Sequence, residues 1–432
     1  MPDLPGRRSL PLVGETLALY RDPYRFGAAH LHRFGPVFKS HLLGKPAVVF
    51  LSAEGQKFVL LTAQKSLDTG AGYAIVHDLL GDALTLTDGE VHAKLKAWMA
   101  PAFGARNMPL YLETINRVID RHLTTWGTSG TCVLQQEFAT LTFNLGIALL
   151  LGLDPEEPEA QELLRHWNTF AAGVSTLIHF VPGPITKFGR AIAARRWLTA
   201  KLQVIVQRQK HSEQTNVVKL LAEAGMPDDE IITQVIFLIH ASFDTTTDTL
   251  TWAFVEILRH SAILARVLTE VQADAPDTTI SSADLQHKPL LDDIIKETLR
   301  LYPQVHLFFR GAKEDLTYEG YTIPKGTLVG LVPAFTHRRA DYFVHPDAFE
   351  PDRYQPPRDE EKAHPFAWVG FGGGMHGCLG EMVARLEIKA LATALLRRFA
   401  MTLTPNQDLQ QTYQSLSRPK SGARITYHRR TT

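Results

Sequence analysis

The chain is 432 residues long, 45% hydrophobic and 21% charged, with 45 basic and 45 acidic side chains. That composition is globular rather than disordered or membrane-embedded, and a formal charge of zero supplies no basic surface for nucleic acid. Two cysteines, Cys132 and Cys378, exclude a disulfide framework and fit a soluble protein of the cytoplasm.

The N-terminal stretch MPDLPGRRSLPLVGETLALY has neither the ~20-residue apolar run of a membrane anchor nor a signal-peptide core. No linker, repeat or charge block marks a boundary, so residues 1–432 are expected to form one large domain. Pro2, Pro5 and Pro11 keep the opening extended. Asp22 as cap and Pro23 at the first helical position predict a helix from Asp22 to Arg33. Val37–Leu42 and Ala47–Leu51, around Leu43-Gly44-Lys45-Pro46, read as a hairpin. From Ala53 onward helical periodicity dominates.

Gly89–Lys96 opens a helix that puts His92 and Lys96, four apart, on one face; taken alone they are an ordinary solvated basic face. Helical periodicity runs from Leu110 to Leu151 with a break at Gly127–Gly130, and the apolar stretch Leu141–Leu151 should stop at Gly152. Phe170–Pro184, broken by Gly173, Pro182, Gly183 and Pro184, reads as a loop before a helix from about Phe188 to Lys210.

The next helix begins at Pro227-Asp228-Asp229 and runs to about His260, roughly 50 Å at 1.5 Å per residue. Apolar residues cover all its sides, so it is buried. Its middle, Ala241-Ser242-Phe243-Asp244-Thr245-Thr246-Thr247-Asp248-Thr249, is polar and β-branched, which disfavours a regular helix and predicts a local distortion. Pro289–Tyr302 is a helix with Glu297 and Arg300 on one face. Leu316–Ile323 and Thr327–Leu331 read as strands around a turn at Pro324-Lys325-Gly326. The last long helix, Glu381–Phe399, follows the glycine-rich decamer Phe371-Gly372-Gly373-Gly374-Met375-His376-Gly377-Cys378-Leu379-Gly380. A cysteine there meets the free N–H groups of a helix start, which favour a thiolate; a small buried hydrophobe is the plainer account.

The decamer resembles the cysteine-ligand loop of the cytochrome P-450 family, in which the thiolate is the axial ligand of haem iron. The resemblance runs from Pro11 to about Pro419 and rests on four motifs in order. It implies a mainly α fold with small β-sheets, a single domain whose long central helix lies over a buried haem. It assigns Cys378 to the iron of non-covalent haem b, in keeping with the lack of a C-x-x-C-H motif, and Phe371 to the shielding of the sulfur. Ala241 to Thr245 match the family's Ala-Gly-x-Asp/Glu-Thr motif, with Ser242 in place of the usual glycine. Ala241 then borders the haem, Thr245 sets its hydroxyl at the dioxygen site, and Asp244 relays protons toward it. The Ser242 hydroxyl is expected in the same groove. His92, Lys96, Arg310 and His376 fall on haem-propionate positions, Lys96 replacing an arginine and its bidentate fork. Glu297, Arg300 and Arg353 form a structural ion triad. Ile75, Val76, Leu86, Ile239, Phe243, Val305, Leu307, Phe308 and Leu416 line a mostly apolar substrate pocket.

The stretches Leu12–Leu17, Phe34–Lys45 and Phe366–Phe399 are most similar to the branch containing retinoic-acid hydroxylases and their cyanobacterial relatives. The resemblance implies a monooxygenase for a retinoid, terpenoid or fatty-acid-like substrate. Its electrons would come from an external ferredoxin or flavodoxin-type donor with its reductase, with Lys389, Arg397 and Arg398 as a possible docking face or a plain solvated one. A peroxide-using or isomerising enzyme is the alternative, against which the Asp244-Thr245 pair argues; a non-catalytic haem sensor would be expected to carry an output segment.

Overall fold

A computed structural model describes residues 4–6, 14–73, 76–174, 183, 185–272, 278–413 and 416–430. Helices dominate, with four small sheets among the described residues. The chain enters through the helix Pro23–Phe34, where Asp22 caps by accepting from the Arg25 N–H at 2.9 Å. A five-stranded sheet follows in the spatial order Val37–Leu42, Lys45–Phe50, Leu328–Leu331, Phe308–Ala312, Leu67–Asp68. Its second and third strands are parallel, with Val48 opposite Val329, and the other pairs are antiparallel. The sheet therefore sews the N-terminal hairpin to a segment nearly 300 residues away, which ties the two chain ends into one body.

The central helix spans Asp228–Arg259 and is buried along most of its length, as an all-round apolar sequence requires. It packs on the helix Leu134–Leu151, which stops where Gly152 takes the left-handed conformation (φ 61°, ψ 25°). It also meets Lys187–Gln209, Pro289–Leu301 and the C-terminal helix Glu381–Arg398. No helix among the described residues is long and apolar enough to cross a membrane.

Several expectations are corrected. The central helix runs without a break through its polar middle. Its hydroxyls find partners on the helix itself: Thr245, Thr247, Thr249 and Thr251 donate to the carbonyls four residues back at 2.6–2.9 Å. That satisfies the buried polar groups while the helix stays continuous. Phe170 to Val174 belong to the helix Pro158–Val174 rather than to a loop, and 175–182 and 184 lie outside the described residues. Leu316–Ile323 is two strands, Leu316–Tyr318 and Tyr321–Ile323, folded into a hairpin where Glu319 and Gly320 both take positive φ. The break near Gly127–Gly130 holds an unforeseen strand, Ser129–Val133, paired with Arg424–Arg429.

Lys389, Arg397 and Arg398 form neither a docking nor a solvated face. All three are buried. Lys389 pairs with Asp292 at 2.8 Å, Arg397 with Asp284 at 3.2 Å and Arg398 with Asp120 at 2.5 Å. They stitch the C-terminal helix to its neighbours.

Candidate active site

Cys378 ends the glycine-rich loop one residue pair before the C-terminal helix. The Cys378 N–H donates to the Phe371 carbonyl at 2.8 Å, closing the loop. Burial pushes the thiol's pKa up, and the backbone N–H groups of Gly380 and Glu381 oppose that shift. The side chain is nonetheless accessible, so it opens on a recess inside the molecule. A sulfur placed on helix-start N–H groups is suited to carry negative charge.

The loop is held from outside. Gly374 takes φ 64°, and a Cβ there would lie 1.8 Å from the Leu60 carbonyl oxygen, so only glycine fits. Gln64 accepts from the Met375 N–H at 3.0 Å, and Lys96 Nζ donates to the Met375 carbonyl at 2.6 Å. Phe371 lies beside Trp368 and under the Arg385 guanidinium, 5.0 Å from its ring centre.

His92 and His376 meet with ring centres 4.3 Å apart. Burial, then the neighbouring His376 and Lys96, lower the His92 pKa to about 4, so it is neutral at pH 7 and acts as a hydrogen-bonding group rather than a cation. His376 Nε2 lies 2.9 Å from Asp88 Oδ1 and 3.3 Å from Thr69 Oγ1. Burial alone would raise the Asp88 pKa, but hydrogen bonds from His376 and Thr69 hold it below the usual carboxylate value. Asp88, Thr69 and Gln64 escaped the sequence reading. Asp88 sits at a helix start yet makes no capping bond, its carboxylate being turned to Thr69 and His376 instead.

Arg310 is buried and donates to its neighbour's carbonyl, Phe309 O, at 2.7 Å. Among the described residues it has no carboxylate partner. Its strand pairs with Leu67–Asp68, next to Thr69, so Arg310 belongs to the same neighbourhood as His376.

On the central helix, residues 240–245 are half-exposed while the stretches on either side are largely buried. A buried helix with such a window borders an internal recess. The Thr245 hydroxyl donates to the Ala241 carbonyl at 2.6 Å. Ser242 Oγ lies 3.9 Å from where a Cβ on Gly146 would sit, beside the helix Leu134–Leu151. Asp244 Oδ1 lies 4.0 Å from Arg418 Nη2.

Behind the loop, Glu297, Arg300 and Arg353 are each fully buried. Glu297 accepts from Arg300 Nε at 2.7 Å and from Arg353 Nε at 2.9 Å. Glu360 joins at 2.6 Å from Arg353, and the Tyr354 hydroxyl reaches Glu297 at 3.1 Å. Arg300 also donates to the carbonyls of His337, Pro346 and Ala348.

The apolar pocket is only partly assembled from the expected residues. Val76, Phe243, Phe308 and Leu416 are half-buried and Val305 is exposed. Leu307 is buried in a core with Phe26, Phe38 and Phe309. Ile239 packs with Phe143, Ile147, Trp167 and Leu202 on a flank of the central helix, and Leu86 is likewise a core residue. All three are buried. Ile75 lies outside the described residues.

The donor set fits haem. A helix-start thiol offers an axial sulfur, Gly374 lets the loop pack without a side chain, and His376 Nδ1 is buried with no hydrogen-bond partner in the protein. A buried arginine without a carboxylate calls for an anion, such as a porphyrin propionate.

The sequence matches the Cytochrome P450 family over residues 4–427. It is 31% identical to the protein named cytochrome P450 120 of Synechocystis sp., over 99% of this chain and 97% of that one. It is 30% identical to abscisic acid 8'-hydroxylase 1 of Arabidopsis thaliana, over 100% of this chain and 92% of that one. The solved structure of retinoic acid bound cyanobacterial CYP120A1 superposes with a TM-score of 0.88 at 29% identity, with both chains covered in full. Family, fold and thiol site thus agree: the chain belongs to the cytochrome P450 family, oxidoreductases that use haem b with an axial cysteine thiolate for monooxygenation.

Proposed function

We propose that this monooxygenase hydroxylates an apolar isoprenoid or fatty-acid-like molecule in the cytoplasm, with electrons from a separate ferredoxin- or flavodoxin-type donor and its reductase. The observation that carries the reading is the pairing of an accessible Cys378 thiol on two helix-start N–H groups with the half-exposed window at 240–245. Retinoic acid and abscisic acid, named for two of the relatives, are both isoprenoid acids. The half-buried apolar side chains Val76, Phe243, Phe308 and Leu416 suit such a skeleton, which binds mainly by its apolar surface.

Haem, when bound, supplies dioxygen activation and the insertion of one oxygen atom into the substrate, with water as the second product. Cys378 would supply its thiolate ligand, with Phe371 packed in the same loop. Arg310, Lys96, His92 and His376 would hold its two carboxylates. Lys96 keeps two donors for this after its bond to Met375. Ala241 would border the haem and anchors Thr245, whose hydroxyl oxygen still has room to accept a proton donor. Asp244 delivers protons at its carboxyl and recovers them from solvent. Glu297, Arg300 and Arg353 fix the backbone behind the loop.

The test is to titrate the haem-loaded protein with retinoic acid, abscisic acid and a long-chain fatty acid, following the Soret band and then products one oxygen heavier. At least one isoprenoid should shift the band and be oxidised. Oxidation of a polar substrate alone, with no shift from any of the three, would overturn the reading.

A further inference from the structure

His240, Asp244 and Asp248 recur every four residues and so share one face of the central helix. Asp248 has no role in the site described above, yet its side chain is completely buried. Arg418 Nη2 and Nε reach its Oδ2 at 2.9 and 3.1 Å, and the same Nη2 lies 4.0 Å from Asp244 Oδ1. One guanidinium therefore bridges two carboxylates a helical turn apart. The strand Arg418–Pro419 is pinned to this helix, since the Trp252 indole N–H donates to the Ser417 carbonyl at 3.1 Å.

Asp248 Oδ1 is sealed from solvent without a well-formed hydrogen bond, and only the neutral Gln135 side chain bears on the carboxyl from the helix Leu134–Leu151. His240 Nδ1, at the other end of the face, is also buried and unpartnered. Burial pushes the Asp248 carboxyl up to about 7 against the pull of Arg418, while Asp244 adds to the rise. Burial holds the His240 pKa below its ordinary value, with the Asp244 charge pulling the other way. Near neutral pH Asp248 thus exists in both forms, and Arg418 is shared accordingly: its hold on Asp248 weakens when that carboxyl is protonated, leaving the cation for Asp244.

We propose that Arg418 and Asp248 are positioning residues for proton delivery: Arg418, anchored by Asp248, holds the Asp244 carboxylate and releases it toward Thr245. The proposal rests on the reading of Asp244 as the proton donor. Arg418 fully paired with Asp248 leaves Asp244 free to turn, and Arg418 drawn to Asp244 holds it back.

The test compares two routes in the haem-loaded enzyme. The first runs on dioxygen and an electron donor and needs delivered protons. The second runs on hydrogen peroxide, which brings its own oxygen, electrons and protons. Asp248→Asn and Arg418→Gln should lower the dioxygen-driven rate about tenfold while leaving the peroxide-driven rate within roughly twofold, and Arg418→Lys should retain most of the former. Independently of turnover, the infrared difference between wild type and Asp248→Asn should show a protonated-carboxyl band that fades as pH rises through about 7, apart from the Glu387 band common to both proteins. In Arg418→Gln the same band should persist to higher pH. If Asp244→Asn impairs the dioxygen route but Arg418→Gln and Asp248→Asn do not, the proposal fails and the role of Asp244 stands. If Asp244→Asn has no effect, both fail. Equal loss on both routes in Arg418→Gln and Arg418→Lys would mean a purely structural part and overturn it as well.

Discussion

His337 shows how much of the site's support is written in single protonation states. It is fully buried and its Nε2 accepts from the Val369 N–H at 2.9 Å, two residues before the cysteine loop begins. Burial lowers its pKa from 6.5 to about 3. Only the neutral ring can accept, so its contribution to stability is complete above pH 6.5 and is lost as pH falls toward 3. Melting temperature in His337→Gln should be lower than wild type at pH 7, with the gap narrowing steadily as the pH is lowered. Glu387 behaves in the opposite sense. Burial, the sole cause, raises its pKa from 4.5 to about 8. The folded state then binds a proton that the unfolded chain has released, and stability declines as pH rises from 4.5 to 8. Glu387→Gln should melt higher than wild type at pH 8 and equally at pH 4. Cys378, Asp244 and Arg310 were singled out by the motifs that hold them, and they lie on helix-start N–H groups, on the half-exposed window of the central helix, and in a buried place without a carboxylate partner among the described residues, respectively. Ile239 and Leu307 lie buried in packed clusters, and an apolar side chain reads alike in a core and in a pocket.

At the scale of elements, the cysteine loop depends on one position more than on its general glycine content. A Cβ at Gly374 would collide with the Leu60 carbonyl and sit on a positive φ, a strain of about 1–3 kcal/mol before any clash. Gly374→Ala should displace the loop and sharply reduce the fraction of protein that retains thiolate-bound haem. Gly380→Ala, where nothing lies within 4 Å of the added carbon, should not. The central helix was foreseen almost to the residue, but its polar middle was read as a break. Hydroxyl groups that bond to their own helix satisfy themselves without interrupting it, and sequence does not distinguish the two solutions. The strand Ser129–Val133 was missed for a related reason: its partner lies almost 300 residues away, and pairing over that separation leaves no local trace.

The whole molecule is held by charges placed inside it. Glu297 with Arg300 and Arg353 joins the helix Pro289–Leu301 to the turn Pro351–Tyr354, and Lys389, Arg397 and Arg398 moor the C-terminal helix to three other segments. The sequence reading recovered the triad from its motif but took the C-terminal cations for surface, since a helix's outer face is not apparent until its neighbours are placed. Glu297→Gln leaves the buried Arg300 guanidinium without its counter-charge and Arg353 with Glu360 as its remaining close partner, and should cost about 3–5 kcal/mol, read as a fall in the denaturant midpoint. We expect Cys378 to meet haem iron as a thiolate. The direct measurement is the carbon monoxide difference spectrum of the dithionite-reduced, haem-loaded protein, alongside Cys378→Ala. A strongly red-shifted Soret band should form in the wild type and vanish in the variant. Folded wild-type protein that takes up no haem, or a red-shifted band that survives in Cys378→Ala, would contradict it.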